Sequence, residues 1–431
     1  MLPEDEGDQA DVELRLGQLG ALLLDAGLSV TDVRDTLHEI RDTHDPAATF
    51  ALSVLPAMVV ASDNLTGAAR IVTADGADLS YRQTAHASRL ARDVRDRLVP
   101  VDQIAVRAAA IRANGRAHPL LGSTIGTALL SGGLAILFRC PWWAIGTAVL
   151  VGAVVGALIW TLDRIPGATA VAPFIAALTS TVLVGALAHG LALGPVPLFA
   201  VCAPIAVLVP GAMITNALLE LTATDIVTGS ARLAYGLIIL GFMTAGISAG
   251  AALTGLRVDP RSAALVGEAA SVTGAVGGWG ALPPLWMSWA GVIVLAVGIG
   301  TVFGSAARLT ALTVLVMTGT YGVLVLLTIP FGSVLATGVT AGALFVVARS
   351  MERLTDTVPA TVSFQPAFLL LVPGTVGLVA LASLDASTLT VAPATFASLC
   401  IGTKIGAILS ASGRGGRSRQ AASWRRRLGP R

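Results

Sequence analysis

Apolar and polar positions follow two different patterns along this chain, and the change falls near residue 118. Before it, apolar residues recur at helix or strand spacing among many Arg, Asp and Glu residues. After it, apolar runs of about 20 residues, long enough to cross a bilayer, recur as far as residue 411. The pattern therefore predicts a water-exposed N-terminal domain over residues 1–118, followed by a membrane domain.

The N-terminal domain is predicted to be a small α+β unit. A helix that begins at Gly17 is closed by Gly27, and Thr31 caps a second helix. The spacing then changes to that of strands and returns to two amphipathic, arginine-rich helices. No catalytic set stands out, so we interpret the domain as regulatory or structural. The predicted strands cover residues 50–60 and 69–73, and the later helices cover 80–97 and 100–116.

The membrane domain is predicted to be α-helical and polytopic, with about ten transmembrane helices. Their many glycines and alanines allow helices to approach closely in lipid. The spans form two five-helix halves, residues 119–255 and 256–411, and a basic tail follows over 412–431. The candidate spans are residues 120–138, 143–161, 168–188, 192–209, 231–254, 283–303, 308–328, 332–349, 365–384 and 391–411.

An internal echo supports this division into halves. Pro210-Gly211 and Pro373-Gly374, each preceded by valine, lie 163 residues apart (373 minus 210). A shift of the first predicted span by that amount places it on the sixth. Because each half would hold an odd number of spans, the second half would be inverted relative to the first. Inverted repeats are a common plan of secondary transporters, which bind solute near the interface of the repeats.

Composition and charge narrow the class of protein further. Of the 431 residues, 54% are hydrophobic and 13% are charged, and the net charge of +2 does not suggest a nucleic-acid partner. The chain opens on an acidic segment rather than a secretory signal, so we expect both termini in the cytoplasm and the spans in the inner membrane. This orientation places on the cytoplasmic side the basic tail and Arg164, Arg232, Arg308, Arg349 and Arg353, and places on the other side Arg139, Arg257 and Arg261.

Signatures of enzymes, metals and cofactors do not emerge from the sequence. Cys140, Cys202 and Cys400 lie far apart and lack metal-site spacing. The only lysine, Lys404, does not belong to a phosphate-binding loop, so ATP drive within this chain is not expected. We therefore expect no catalytic residues, no metal and no cofactor.

The two Pro-Gly pairs are the strongest indication of a solute path. Proline removes a helical hydrogen bond, and the adjacent glycine permits unusual dihedral angles. Lipid tolerates the freed carbonyls only beside protein or a watery cavity. A simple helix end or kink is the alternative. We predict that Pro210, Gly211, Pro373 and Gly374 contact the substrate.

The segment after the first Pro-Gly pair is polar although it follows a membrane span. Thr215 and Asn216 can donate and accept hydrogen bonds, so we add them to the predicted substrate site. Glu220 shares a helical face with Asn216. Asp225 and Arg232 lie seven residues apart and can pair as a gate or bind a zwitterion. The alternative is a polar cytoplasmic loop with surface charges.

Charged groups in or beside the membrane can couple transport to protons. Glu268 lies in the apolar stretch 262–282, a peripheral or re-entrant segment, and is a candidate proton carrier. The predicted coupling or gating residues are thus Glu220, Asp225, Arg232 and Glu268.

These features resemble the threonine/serine exporter family over nearly the whole chain. The resemblance implies a cytoplasmic N-terminal domain, about ten membrane helices in two unlike halves, and export driven by the proton motive force. Some relatives split the halves between two proteins and are linked to dicarboxylate export. The matching pieces are Leu22–Gly27, Val54-Leu55-Pro56, Val209-Pro210-Gly211 through Thr215-Asn216, Asp225 and Gly229 to Arg232-Leu233, and Val358-Pro359-Ala360 with Val372-Pro373-Gly374.

The sequence therefore predicts a secondary transporter that exports threonine, serine or a similar small polar solute, with protons as the coupling ion. Export of a dicarboxylate such as succinate is the first alternative. A membrane enzyme, or a sensor with the N-terminal domain as its output, is the second.

Overall fold

The structure is a computed structural model of the whole chain. It describes residues 3–44, 50–63, 69–76, 79–223, 225–259, 262, 265–269, 272, 278–355, 366–367, 370–371 and 394–410. Most of these residues are helical, and the described strands form one small three-stranded sheet. Five of the helices are long and apolar enough to cross a membrane.

The N-terminal domain packs four helices around an antiparallel sheet in the order β1-β2-β3. Its core is aliphatic and includes the buried Leu19, Leu22 and Leu23 of the first helix. The prediction that this domain combines helices with a small sheet is confirmed. The elements are α1 (Pro3–Asp25), α2 (Val30–His44), β1 (Phe50–Leu55), β2 (Met58–Asp63), β3 (Ala69–Thr73), α3 (Tyr81–Arg95) and α4 (Ile104–Ala113).

Three local predictions in this domain were wrong. The first helix begins at Pro3 rather than at Gly17. The apolar stretch 50–60 is not one strand, because the chain turns between β1 and β2, and the hairpin pairs Leu55 with Met58. The cap of α2 is Ser29 rather than Thr31, because the Ser29 hydroxyl accepts the N–H of Asp32 at 3.1 Å. Thr31 is therefore free of the capping role, and its side chain makes a contact outside the domain.

The membrane domain begins with helices at or near the predicted positions. Pro at the start of α5 and of α7 suits the first turn, where its missing N–H costs no hydrogen bond. The helices are α5 (Pro119–Leu137), α6 (Trp142–Leu162), α7 (Ala172–Gly190), α8 (Leu198–Cys202), α9 (Gly211–Thr222), α10 (Ile226–Thr254), α11 (Met287–Val302), α12 (Ala307–Thr355) and α13 (Ala394–Ser410).

Helix α12 reverses direction at Gly332, whose φ of 75° and ψ of 167° are not helical. A straight helix of 49 residues would extend about 74 Å. Both ends nevertheless lie against the N-terminal domain. Before α12, Phe303 accepts the N–H of Tyr81, and near the end of α12 Arg349 pairs with Asp32. The break separates two arms that match the predicted seventh and eighth spans: residues 307–331 (α12a) and 333–355 (α12b).

Helices α5 and α11 form the closest helix pair of the membrane domain, and they run antiparallel. A Cβ on Gly126, near the start of α5, would lie 2.6 Å from the backbone nitrogen of Val302, at the end of α11. A Cβ on Gly291, near the start of α11, would lie 2.7 Å from the backbone nitrogen of Leu137, at the end of α5. Only glycine permits backbones to approach this closely.

Two further pairs, α7 with α10 and α12b with α13, run parallel. Gly246 and Gly250 of α10 lie against Ala177 and Thr181 of α7. In the same way, glycines 338 and 342 of α12b lie against residues 398 and 402 of α13. The ends of the membrane helices that face away from the N-terminal domain are called the far side below.

Candidate functional site

The predicted fourth span, 192–209, is not one helix. The chain crosses from the far side toward the N-terminal domain in three pieces: α8, a single helical turn at Ala206–Leu208, and α9. Extended Val209 separates the turn from α9, and Pro210 directly precedes that helix. The crossing thus continues well past residue 209, which the sequence had marked as its end.

This broken crossing lies inside the protein rather than against lipid. Residues 198–206 are all buried. The interruption leaves the Val201 carbonyl without a helical partner, and Ser180 of α7 donates to it at 2.9 Å. Ser131 of α5 donates to Thr127 of its own helix at 2.7 Å and lies 3.3 Å from the carbonyl of Ala203, which already accepts the N–H of Ala206. Irregular backbone at membrane depth persists where protein satisfies it in this way.

The Pro210-Gly211 break lies well within the membrane domain. Both Pro210 and Ile214 contact Gly236 of α10, with Ile214 at 2.8 Å from the Cβ position of that glycine. Gly236 follows the first residue of α10 by ten residues (236 minus 226), or about 15 Å of helix. Pro210 is therefore a break inside the crossing, not the end of a span at the membrane surface.

The other predicted substrate residues have separate positions. Thr215 donates to the carbonyl of Gly211 at 2.8 Å, one turn back in α9, which occupies its hydroxyl. Asn216 lies 3.3 Å from the carbonyl of Gly27 in the N-terminal domain, so it is an interdomain contact. Pro373 and Gly374 lie outside the described residues.

Glu220 is buried at the junction between α9, α10 and the N-terminal domain. Its side chain is 0% exposed. One carboxylate oxygen, Oε1, accepts the backbone N–H of Val30 at 3.0 Å and pairs with Arg232 at 2.8 Å. The other, Oε2, is buried and has no hydrogen-bond partner in the part of the chain that the structure describes. Arg232 is thus the partner of Glu220, not of Asp225 as the spacing had suggested.

Asp225 and Arg349 extend the contact with the N-terminal domain. Asp225, at the start of α10, accepts the Thr31 hydroxyl at 2.7 Å and pairs with Arg34 at 2.9 Å. Arg349, on α12b, pairs with Asp32 at 2.7 Å. The segment after the Pro-Gly break is therefore an interdomain interface, rather than a loop with free surface charges.

Glu268 lies apart from Glu220, Asp225 and Arg232. It lies in the short helical turn Val266–Glu268, where its Oε2 accepts the N–H of Leu265 at 3.1 Å. The next residues bind Arg139, at the far end of α5, through the carbonyls of Ala269 and Val272. Glu268 is thus on the far side, while Glu220, Asp225 and Arg232 cluster at the N-terminal domain. Among the described residues, no group of three His, Cys, Asp or Glu side chains could hold a metal ion.

Sequence reasoning missed Ser131, Ser180 and the segment 27–34 as parts of these two sites. A serine within an apolar span is a weak signal, because it usually bonds to its own helix. Residues 27–34 gave no signal of an interface, since their partners lie about 190 positions away in the chain.

One comparison with known proteins gives a match. A family model described as threonine/serine exporter matches residues 16–254, more than half of the 431-residue chain. The matched part covers most of the N-terminal domain and the membrane helices through α10. No match is found among curated proteins or solved structures.

Proposed function

The chain belongs to the threonine/serine exporter family, and on that premise we propose that it is a secondary transporter that exports threonine, serine or a similar small polar solute across the inner membrane in exchange for protons. The observation that carries the proposal is the broken, buried fourth crossing. Discontinuous helices inside a membrane domain are where secondary transporters bind their solutes.

The helix packing supports two inverted halves of five helices each. In such a repeat α5 and α11 are counterparts, and a twofold axis in the membrane plane makes counterparts that meet on it antiparallel. Their Gly126 and Gly291 contacts have that arrangement. Under the same repeat α7 corresponds to α12b and α10 to α13, and both of these pairs are parallel.

We place the solute at the first break, between Pro210-Gly211 and the carbonyls of Val201 and Ala203. In this proposal Ser180 holds the Val201 carbonyl when no solute is bound, and an ammonium group competes for that carbonyl during transport. Pro373-Gly374 would be the matching break of the second half. Alternating access then consists of one half rocking against the other around this point.

Coupling is assigned to Glu220, because its carboxyl group is buried between α9, α10 and the N-terminal domain and is paired with Arg232. Asp225 and Arg232 act with it as gating residues. Glu268, on the far side, is a second candidate at the other end of the path.

The test is uptake of labelled threonine into inverted membrane vesicles with an imposed pH gradient, acid inside. We expect accumulation that exceeds that of vesicles lacking the protein and that a protonophore abolishes. A labelled succinate arm distinguishes the dicarboxylate alternative, since accumulation of succinate but not threonine would contradict the proposal. Equal accumulation of labelled threonine in vesicles with and without the protein would contradict the proposal as well.

A matched pair of variants locates the path. Ser180→Ala removes the donor at the break, whereas Thr161→Val removes a hydroxyl on exposed α6 that only bonds to its own helix. Transport should fall in Ser180→Ala and persist in Thr161→Val.

A further inference from the structure

Tryptophan side chains gather on the far side of the membrane domain. Trp142 and Trp143 begin α6, and Trp279 and Trp286 lie in the connection that leads into α11. Backbone hydrogen bonds hold the two groups at one level. The N–H of Trp143 donates to the carbonyl of Trp279 at 3.2 Å, and the N–H of Trp142 donates to the carbonyl of Ala281 at 3.3 Å. These four residues are called the far-side tryptophans below.

The connection before α11 is fixed to other helices as well. The guanidinium of Arg139, at the end of α5, donates to the carbonyl of Pro283 at 3.1 Å. The carbonyl of Pro284 accepts the N–H of Met287, the first residue of α11, at 2.9 Å. The backbone of α5, α6 and α11 therefore sets the level of the far-side tryptophans, and the indoles themselves are free to contact something else.

The indoles of the connection face outward. Trp279 is 78% exposed, Trp286 is 68% exposed, and the intervening Leu285 is 52% exposed. Large apolar side chains that lie exposed and close together indicate a surface that contacts a partner. The next question is which partner suits two indoles and a leucine.

The chemistry of indole favours the boundary between hydrocarbon and water. Its body is apolar, and its one polar group is an N–H that donates a hydrogen bond and accepts none. At the edge of a bilayer the body contacts acyl chains while the N–H reaches ester or phosphate oxygens, so tryptophan is enriched there. The far-side tryptophans belong to helices that are apolar and long enough to cross a bilayer, or that pack against such helices.

The other end of α6 gives an independent measure of the bilayer. Trp143 and Trp160 are 17 residues apart (160 minus 143), which is about 26 Å of continuous helix. At the level of Trp160, the exposed guanidinium of Arg164 lies over the indole, 3.4 Å from its centroid. A charge of this kind is costly in hydrocarbon. The two levels are thus separated by nearly the thickness of a hydrocarbon core, about 30 Å.

We propose that the far-side tryptophans are a membrane-interface anchor: the indoles of Trp279 and Trp286 lie in the headgroup layer of the leaflet opposite the N-terminal domain and donate to phospholipid oxygens. The anchor joins both halves, because α6 belongs to the first and α11 to the second. It fixes the far end of the α5–α11 pair at a defined depth. The inference goes beyond the proposed function, since it holds whichever solute is transported.

The test measures depth with nitroxide labels on the full chain in phospholipid vesicles. The labels are attached at Trp279→Cys, Leu150→Cys and Val106→Cys, one at a time. These positions are 78%, 69% and 74% exposed, so the protein alone does not distinguish them. Leu150 lies near the middle of α6, and Val106 lies on α4 of the N-terminal domain. Cys400 is replaced by serine, and the other two native cysteines are buried.

Power saturation then compares collisions with oxygen, which concentrates in hydrocarbon, and with a nickel chelate, which stays in water. We expect oxygen to dominate at position 150, nickel to dominate at position 106, and position 279 to lie between them with substantial collisions of both kinds. A label at 279 that matches position 106 or position 150 would overturn the proposal. Protection of that label from both reagents would also overturn it, because a second copy of the chain or another protein would then cover this surface.

A second measurement uses the native indoles. Phospholipids brominated near the ester groups should quench the tryptophan emission, and Trp279→Phe combined with Trp286→Phe should reduce this quenching. Quenching by phospholipids brominated near the end of the acyl chain should stay unchanged, which makes it the internal control. Equal quenching by the shallow bromines with and without the two indoles would overturn the proposal. Neither measurement depends on transport, so the anchor and the proposed function fail separately.

Discussion

The α5–α11 pair and the α8–α9 crossing lie in the same membrane domain but are held together in opposite ways. In the pair, continuous helices satisfy their own backbone, and glycines let them pack backbone to backbone. In the crossing, the backbone is interrupted. The Ser180 side chain of α7 donates to the Val201 carbonyl, and the backbone N–H of Val30 in the N-terminal domain donates to Glu220 near the end of α9.

The difference indicates where the molecule can rearrange. Close packing of backbones has few alternatives, because any separation opens a void. Single hydrogen bonds to carbonyls can be exchanged for bonds to a solute or to water at small net free energy. The pair is therefore suited to be a fixed support, the pivot about which the two halves rock, and the crossing with its contacts to α2 is suited to move.

The largest expected effect comes from removing the cation beside Glu220. Arg232→Met leaves a buried carboxylate uncompensated, which costs about 3–5 kcal/mol of stability. Thermal unfolding of the purified protein, compared with that of the unsubstituted protein, measures this loss.

Combining Arg232→Met with Glu220→Gln removes the buried charge and should recover most of the stability. Equal destabilisation of the single and the double variant would show that the buried charge is not the cause of the loss, which would weaken the contrast between a fixed pair and a movable crossing.

A second effect tests the fixed pair itself. Gly291→Leu places a side chain where the backbone of Leu137 lies 2.7 Å away, so α5 and α11 must separate, at a cost of about 3 kcal/mol. The control is Gly241→Leu on α10, where no atom lies within 4 Å of the added Cβ. The apparent melting temperature should fall only in the first variant, and equal melting of both would refute close packing of the pair.

A smaller effect is expected at the break. Ser180→Ala leaves the buried Val201 carbonyl without its donor, which costs about 1–2 kcal/mol. The melting temperature should drop modestly relative to Thr161→Val. No change would mean that water or another group already serves this carbonyl, and the serine would then not be part of the break.

The smallest effect is expected for the contact with the second half. Both side chains of the Asp32–Arg349 pair are partly exposed, and such pairs contribute about 0.2–1 kcal/mol. Asp32→Asn should leave the free energy of unfolding nearly unchanged and should reduce its dependence on salt concentration. A loss above about 2 kcal/mol would instead make this pair part of the fixed support.

Much of this architecture could be predicted from the sequence. The apolar runs identified where helices α5, α6, α7 and α10 lie, because lipid requires about 20 apolar residues per crossing. The Pro210-Gly211 pair marked a real interruption of the chain. The boundary between two predicted spans also fell at Gly332, where α12 reverses direction.

Other features required the tertiary structure. The extent of the fourth crossing was misjudged because burial by α5, α6 and α7, rather than helical continuity, holds α8 and the following turn in place. The sequence grouped Asp225 with Arg232 by helical spacing, but spacing describes one helix only. Asp225 instead pairs with Arg34 of α2, and Arg232 pairs with Glu220 of α9.

The sequence by itself determined which part of the chain lies in water and which part lies in lipid, because this division depends on local runs of apolar residues. Only the tertiary structure decided which charges meet. Glu220 and Val30 are 190 positions apart, and their contact exists because α9 and the first turn of α2 are brought together by separate packing of two domains. No local pattern contains that information, since the free energy of a buried charge depends on all the atoms around it.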